Sequence, residues 1–238
     1  SHSKVAITTL EKLSKTQSRQ FAKALQRLDG LPWKIVILID STLQHRASLH
    51  PENAKTFNHG KGYVIGHQWT NIVLVLGGML IPLRPIPFYS KPYCQAHGLA
   101  YHSEQERVVA YLRTLDLEDY IGAYDQREVL VLADSGYDNK KIEKAIAAKG
   151  WNFIIALSKT RSVKSEALAL TTPTSRQWGH IDTFFRRHRR LKWDTIRLAT
   201  SGNKRKRMDV RVRHTSGYLR YGGKVELVCS EWRNRPDG

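Results

Sequence analysis

The sequence predicts an α/β fold: a mixed sheet with flanking helices, followed by a basic, β-rich region. Three observations carry this. Residues 129–138, VLVLADSGYD, run five apolar residues into Asp134, and residues 34–42, KIVILIDST, lead in the same way into Asp40. Continuous apolar runs bounded by turn residues are strands buried on both faces. Between residues 103 and 157, helical stripes alternate with such strands, the pattern of parallel additions to a sheet. From about Trp178 the pattern changes to alternating strands, and residues 186–213 hold twelve Lys and Arg against only Asp194 and Asp209.

Taken in order, residues 10–28 predict a helix. Phe21, Ala24, Leu25 and Leu28 share one face, and Gly30 and Pro32 stop it. Residues 34–39 are the first strand. A polar loop, 48–62, leads to two further strands at 63–70 and 71–76, which suggests an antiparallel meander. Residues 81–92 carry four prolines and read as a rigid excursion over the surface, excluded from any central strand or helix. Residues 103–115 form a helix with a capping box, Ser103 and Glu106, and an apolar stripe of Val108, Val109, Leu112 and Leu115. The strand 128–133 delivers Asp134. Asp138 is the expected cap of the next helix, whose stripe is Ile142, Ala145 and Ile146 and which ends at Gly150. Residues 153–157 are a fifth short strand. Beyond Trp178, strands are expected at 193–200, 207–215 and 224–230. In the middle one Met208, Val210, Val212 and His214 form the inner face, and Arg207, Asp209, Arg211 and Arg213 a basic outer face.

The 238 residues suffice for one large domain or one domain with an insertion, and 41% apolar content supports a proper core. The net charge of +18, from 39 Lys and Arg against 21 Asp and Glu, points to a polyanionic partner, most simply nucleic acid. Cys94 and Cys229 form no metal-ligand pair, which fits a reducing compartment. No apolar run reaches the ~20 residues of a membrane helix, and no signal peptide is legible. Ser1-His2-Ser3 reads as an expression scar, with the natural protein beginning further upstream.

The order of an acid-bearing first strand, meander, helix, acid-bearing fourth strand, helix and fifth strand is the layout of the ribonuclease H-like fold. With Asp40 and Asp134 in place, the sequence resembles the DDE transposases of bacterial insertion sequences, and within them the subgroup with a β-rich insertion after the fifth strand. The stretches that carry the resemblance are ILIDST, the GKG of residues 60–62 leading into YVIGHQW, and VLVLADSGYD with FIIALSK after it. They span roughly residues 34–231. The resemblance implies a ribonuclease H-like mixed five-stranded sheet with flanking helices plus a β-rich insertion subdomain. Residues 1–32 would be an N-terminal helical segment, 33–170 the first part of the catalytic core and 171–238 the insertion. It further implies metal-dependent phosphodiester cleavage and strand transfer at transposon ends, with Asp40 and Asp134 as catalytic metal ligands. Mg²⁺ is the expected ion, with Mn²⁺ as substitute. DNA, both transposon ends and target, is the expected partner, with a homodimer assembled on it in the cytoplasm, associated with the nucleoid.

The chemistry suits these residue types. Mg²⁺ takes oxygen ligands, so carboxylates on rigid strands are fitting holders. Two ions can activate the attacking oxygen and stabilise the leaving one. The family's third acid is a Glu on a helix after the insertion, within a Tyr, Arg, Glu, Lys pattern. No such helix is legible. Glu226 and Glu231 are the only candidates, both in a strand pattern, so the expectation is that the chain stops before the third acid and is inactive by itself. Lys159, Arg161 and Lys164, after the fifth strand, and Arg186, Arg187, Arg207, Arg211 and Arg213 are the candidate nucleic-acid contacts. Trp178 and Trp193 either stack on a displaced base or pack a small core.

Blander readings stand beside these. An Asp at a strand end is often a turn former. The basic loop reads equally well as a solvated face, and His45, His59 and His67 lack a recognisable zinc spacing. Ser41 and Ser135 have no evident His partner. A non-catalytic DNA- or RNA-binding module, a degenerate transposase remnant, is the alternative function. An Asp-nucleophile phosphatase is disfavoured, because Asp40-Ser41-Thr42 lacks a second Asp two residues on.

Overall fold

The structure, a computed structural model, describes residues 2–26, 35–45, 53–58, 63–166, 178–187, 191–199, 207–220 and 223–232. The chain divides into two compact units, Ser1–Ala156 and Leu157–Gly238.

The first unit runs α1 (His2–Gln26), β1 (Ile35–His45), β2 (Lys55–Asn58), β3 (Tyr63–Leu76), β4 (Met79–Pro82), β5 (Ile86–Pro87), α2 (Lys91–Ala96), α3 (Glu104–Thr114), α4 (Glu118–Ile121), β6 (Val129–Ala133), α5 (Lys140–Ala147) and β7 (Asn152–Ile155). Its sheet is ordered β2-β3-β1-β6-β7, with β4 and β5 also paired to β3. β3 runs antiparallel to β1, whereas β6 is parallel to β1 and β7 parallel to β6. A parallel pair needs a crossover rather than a hairpin, and α5 supplies it between β6 and β7. The result is a mixed α/β unit with a mixed sheet and flanking helices, consistent with a ribonuclease H-like domain.

The alternation of β1 and β6 decides the core. Ile35, Ile37 and Ile39 pair across with Val129, Val131 and Ala133, and with Leu76, Leu74 and Ile72 on the other side. All of these but Ala133 are buried, and they meet Val108 and Leu112 of α3 and Ile142 and Ile146 of α5 in one cluster. Each such side chain contributes about 1.5–3 kcal/mol on burial. The capping box of α3 is present as the sequence predicts: Ser103 accepts from the Glu106 N–H, and the Glu106 carboxylate accepts from the Ser103 N–H. α1 lies against α4, where Lys15 donates to Asp119 at 2.7 Å.

Several details differ from the sequence expectation. The polar loop expected at 48–62 contains a strand, β2, paired antiparallel to β3, and the first strand, expected at 34–39, runs on to His45. Residues 63–76 are one 14-residue strand, not two. The meander's third strand is instead β4, reached through Gly77 and Gly78, whose φ values of 52° and 91° make the tight turn. The proline-rich run is not a surface excursion, since Ile81, Leu83 and Ile86 belong to the core. Pro82 and Pro87 fall on edge strands, Pro92 at the start of α2 and Pro85 in the link between β4 and β5, all places where a missing N–H costs little. The cap of α5 is Asn139, which accepts from Lys141 N–H at 2.8 Å; Asp138 closes the preceding 3₁₀ turn.

The second unit contains β8 (Ser162–Ser165), β9 (Gly179–His180), α6 (Ile181–Arg187), β10 (Asp194–Ala199), β11 (Arg207–Leu219) and β12 (Lys224–Trp232). Its sheet is ordered β10-β11-β8-β9, with β12 on the other edge of β11. Val163, Phe184, Phe185, Leu219 and Leu227 form its small core. The alternation of β11 does not leave a wholly basic outer face. Val210 is buried, yet from residue 213 the opposite face turns inward, with Arg213 at 9% exposure and Leu219 at 3%. The turn expected at residues 201–203 lies outside the described residues. Among the described residues, no helix is long and apolar enough to cross a membrane.

Candidate active site

The last residue pair of the parallel β1–β6 ladder is Ile39 with Ala133. Asp40 and Asp134 each stand one residue beyond it. They extend the series Val36–Leu38 and Leu130–Leu132, so both leave the same face of the sheet. Both are exposed. Asp134 follows the carboxyl end of β6, and Asp40 lies on β1 where its parallel ladder with β6 ends, so both stand at the carboxyl end of that ladder, near where open α/β sheets place ligands.

The turn after Asp134 fixes its carboxylate. Ser135–Tyr137 form one 3₁₀ turn, and Asp134 Oδ1 accepts from the Gly136 N–H at 2.9 Å. A Cβ at Gly136 would come within 3.1 Å of that oxygen, so glycine keeps the carboxylate unobstructed. Gly136 C=O accepts from Gln105 Nε2 at 3.2 Å. Tyr137 points back into the core at 2% exposure and donates its phenol to Glu104 Oε1 at 2.8 Å. Burial, above all, raises the Tyr137 pKa well above its ordinary value, so the phenol remains a donor at any working pH. Glu104 also accepts from Thr70 Oγ1 at 2.8 Å and, through Oε2, from Gln68 Nε2 at 2.9 Å. Asn71, opposite Asp40 on β3, donates to Thr42 Oγ1 at 2.5 Å.

Sequence reasoning singled out neither Glu104 nor Tyr137. Glu104 reads as one more acid in a capped first turn, and only the DSGY turn hints that Tyr137 has a task. A cavity of about 400 Å³ also lies in this unit, lined by α1, α3, α4 and β5, with no residue from β1 or β6.

As donors, the two aspartates fit a hard divalent ion. They present carboxylate oxygens on rigid strands, and one oxygen of Asp134 is already aimed by a backbone N–H. No group of three or more His, Cys, Asp or Glu gathers among the described residues. His45 lies on β1, whose neighbour Gln44 pairs with His67 on β3, and His59 is outside the described residues. Glu226 and Glu231 are on β12, not on a helix. Glu226 accepts from Ser216 Oγ and lies 3.6 Å from His214, while Glu231 is the register partner of Arg211.

The candidate nucleic-acid contacts all belong to the second unit. Lys159 is exposed. Lys164 lies over the rings of Trp178 and Tyr218 at 5.2 and 5.1 Å. Arg161 begins the link into β8, and its C=O accepts from the Ile181 N–H. Arg186 is paired with Asp182 one turn earlier at 2.9 Å. Arg211 and Arg213 both lie over Trp193, at 4.7 and 4.4 Å, and Arg213 also over Phe185 at 5.3 Å. The backbones of Arg187 and Arg207 lie in α6 and β11, and their side chains are outside what the structure describes.

Fold and site together define an α/β domain with two carboxylates at the end of one parallel ladder. The family model described as the transposase DDE domain matches residues 32–235. That is most of the chain, and the protein belongs to the DDE transposase family. The family's activity is of the nuclease, phosphoryl-transferring type, acts on DNA and generally uses divalent metals. No curated protein matches the chain.

Proposed function

We propose that this chain is the catalytic domain of a DNA transposase that cleaves and joins phosphodiesters at transposon ends, with Asp40 and Asp134 as its metal-holding pair. The observation that carries the reading is the placement of both carboxylates one residue beyond the same rung of a parallel ladder. Mg²⁺, or Mn²⁺ in its place, would supply activation of the attacking oxygen and neutralisation of the leaving one. Two carboxylates on neighbouring strands repel one another, and a cation held between them relieves that repulsion. The Gly136 N–H holds one Asp134 oxygen in place.

The second unit, which contains the β-rich insertion expected at 171–238, supplies DNA contacts through Lys159, Arg161, Lys164, Arg186, Arg187, Arg207 and Arg211, whereas Arg213 is packed against Trp193 and Phe185. The net charge of +18 favours such contacts at any DNA sequence. Two-metal chemistry takes a third carboxylate, expected on a helix whose pattern the sequence does not contain. Residues 1–238 should therefore bind an ion weakly and cleave little.

The test is nicking of supercoiled DNA with Mg²⁺, Mn²⁺ or EDTA, by this chain and by a version extended through a helix bearing the Tyr, Arg, Glu, Lys pattern. Metal-dependent cleavage should appear in the longer protein and vanish with Asp40→Ala or Asp134→Ala. Cleavage that survives Asp134→Ala overturns the mechanism. Robust cleavage by residues 1–238 that is lost with Glu226→Gln or Glu231→Gln places the third acid on β12 instead.

A further inference from the structure

We propose that Glu104 and Gln105, the first two residues of α3, are positioning residues that set the Asp134 carboxylate from behind the sheet. The proposal rests on the reading of Asp40 and Asp134 as the metal-holding pair. The Asp134 carboxylate is held by the Gly136 N–H, so the orientation of the Ser135–Tyr137 turn decides where it points. That turn is gripped at two successive residues from α3. Gln105 donates to the Gly136 carbonyl, and Glu104 accepts from the Tyr137 phenol.

Glu104 has a second set of partners on the other arm of the site. Thr70 and Gln68 of β3 donate to its two oxygens. In the ladder Thr70 faces Ser41 and Gln68 faces Leu43, the first and third residues after Asp40. One carboxylate therefore joins the strand beside Asp40 to the turn that carries Asp134. Three side-chain donors converge on it, two of them on Thr70 and Tyr137, which are nearly excluded from water. Helix capping does not explain this convergence, because Ser103 and Glu106 already perform it.

Alternation along the strands shows that Glu104 acts indirectly. Thr70 and Ser41 lie on the face of Ile39 and Ile72, which is packed into the core. Asp40 and Asn71 leave from the opposite face. Glu104 thus approaches through the core side and fixes the distance between the two acids without joining them as a ligand. Groups that orient metal-holding carboxylates in this way typically account for 10- to 100-fold in affinity.

The experiment measures Mn²⁺ binding to the full chain by electron paramagnetic resonance for wild type, Asp134→Asn, Glu104→Gln, Tyr137→Phe and the Glu104→Gln/Tyr137→Phe pair. Val109→Ala, a core truncation in the same helix, controls for lost stability. Tyr137→Phe removes one hydroxyl and keeps the ring, so it carries the test even where Glu104→Gln folds poorly. The expectation is that Asp134→Asn abolishes binding and that Tyr137→Phe and Glu104→Gln each weaken it about tenfold. The pair should be no weaker than the worse single variant, and Val109→Ala should match wild type. Wild-type affinity in both Tyr137→Phe and Glu104→Gln overturns the positioning role while leaving the metal pair intact. Loss of binding in Glu104→Gln equal to Asp134→Asn, with Tyr137→Phe unaffected, makes Glu104 a ligand and also overturns it. A wild-type chain that binds no Mn²⁺, or an Asp134→Asn chain that binds it normally, overturns the metal-pair reading itself.

Discussion

Replacing Arg213 and Arg211 one at a time should separate a packing cation from a DNA-facing one. Arg213 is 9% exposed, its guanidinium 4.4 Å from the Trp193 ring centre and 5.3 Å from that of Phe185. A desolvated cation–π contact is worth about 2 kcal/mol, and the stem adds packing against the small core. Against this, Arg213 Nε is buried with no hydrogen-bond partner among the described residues, which costs on the order of 1 kcal/mol. The net loss on Arg213→Ala is therefore about 2 kcal/mol. With a urea dependence of about 2 kcal/mol per molar, the unfolding midpoint of this unit should fall by roughly 1 M. The salt dependence of DNA binding should barely change, because the side chain reaches no solvent phosphate. Arg211 is only half-buried, and Arg211→Ala should leave the midpoint within about 0.5 M while reducing the slope of log K against log salt by about 1. The assays are urea unfolding followed by tryptophan fluorescence and anisotropy titrations of duplex DNA at several salt concentrations. A full unit lost from the slope in Arg213→Ala, with an unmoved midpoint, would refute the argument, since the side chain would then be spending its charge on DNA.

Three further outcomes can be checked directly. Ser103→Ala removes the cap of α3 and should cost about 1 kcal/mol, read as a lower thermal midpoint; an unchanged midpoint would mean the capping box is idle. Gly66→Ala would drive a Cβ into the backbone carbonyl of Gln44 and should cost about 1–3 kcal/mol, seen as lower stability with no change in DNA-binding slope at permissive temperature. Asp119, held by the Lys15 hydrogen bond, has its carboxyl pKa lowered below the ordinary 3.8. Its contribution is therefore present above the unfolded value and lost as pH falls through the folded one. Below about pH 4 the thermal midpoint of wild type should fall more steeply than that of Asp119→Asn, and parallel curves would sink the assignment.

The apolar runs of β1 and β6 were readable because both faces carry apolar residues, one face buried in the core and the other half-buried rather than fully buried as expected, and their Asp residues come next without a gap. The α3 cap was readable because capping is local chemistry. What failed to show in the sequence depends on neighbours distant in the chain. Gly66 looks like a strand breaker, but a glycine is needed there because Gln44 approaches so closely. Pro82 and Pro87 look like exclusions from a sheet, yet an edge strand has one side that requires no donor. The period of β11 was legible, but not which face the core would take along 13 residues. α6 was missed because seven residues ending in two arginines show too little periodicity. At the candidate site, the aspartates declared themselves through position, whereas Glu104 acquires its role only when β3, α3 and the turn after β6 are brought together.

β1 outlasts its parallel neighbour. Among the described residues, the ladder to β6 ends at Ile39, while 40–45 continue against β3 alone. This gives the site an uneven tolerance to changes in chain length. Deleting or inserting one residue within 35–39 or 129–133 would turn an aspartate to the opposite face of the sheet, because side chains alternate with a period of two. The same change in a connection would move neither carboxylate. Natural variants of this domain should therefore hold those two five-residue segments to a fixed length while their connections lengthen and shorten, and the two segments form a natural ruler for aligning distant members of the family.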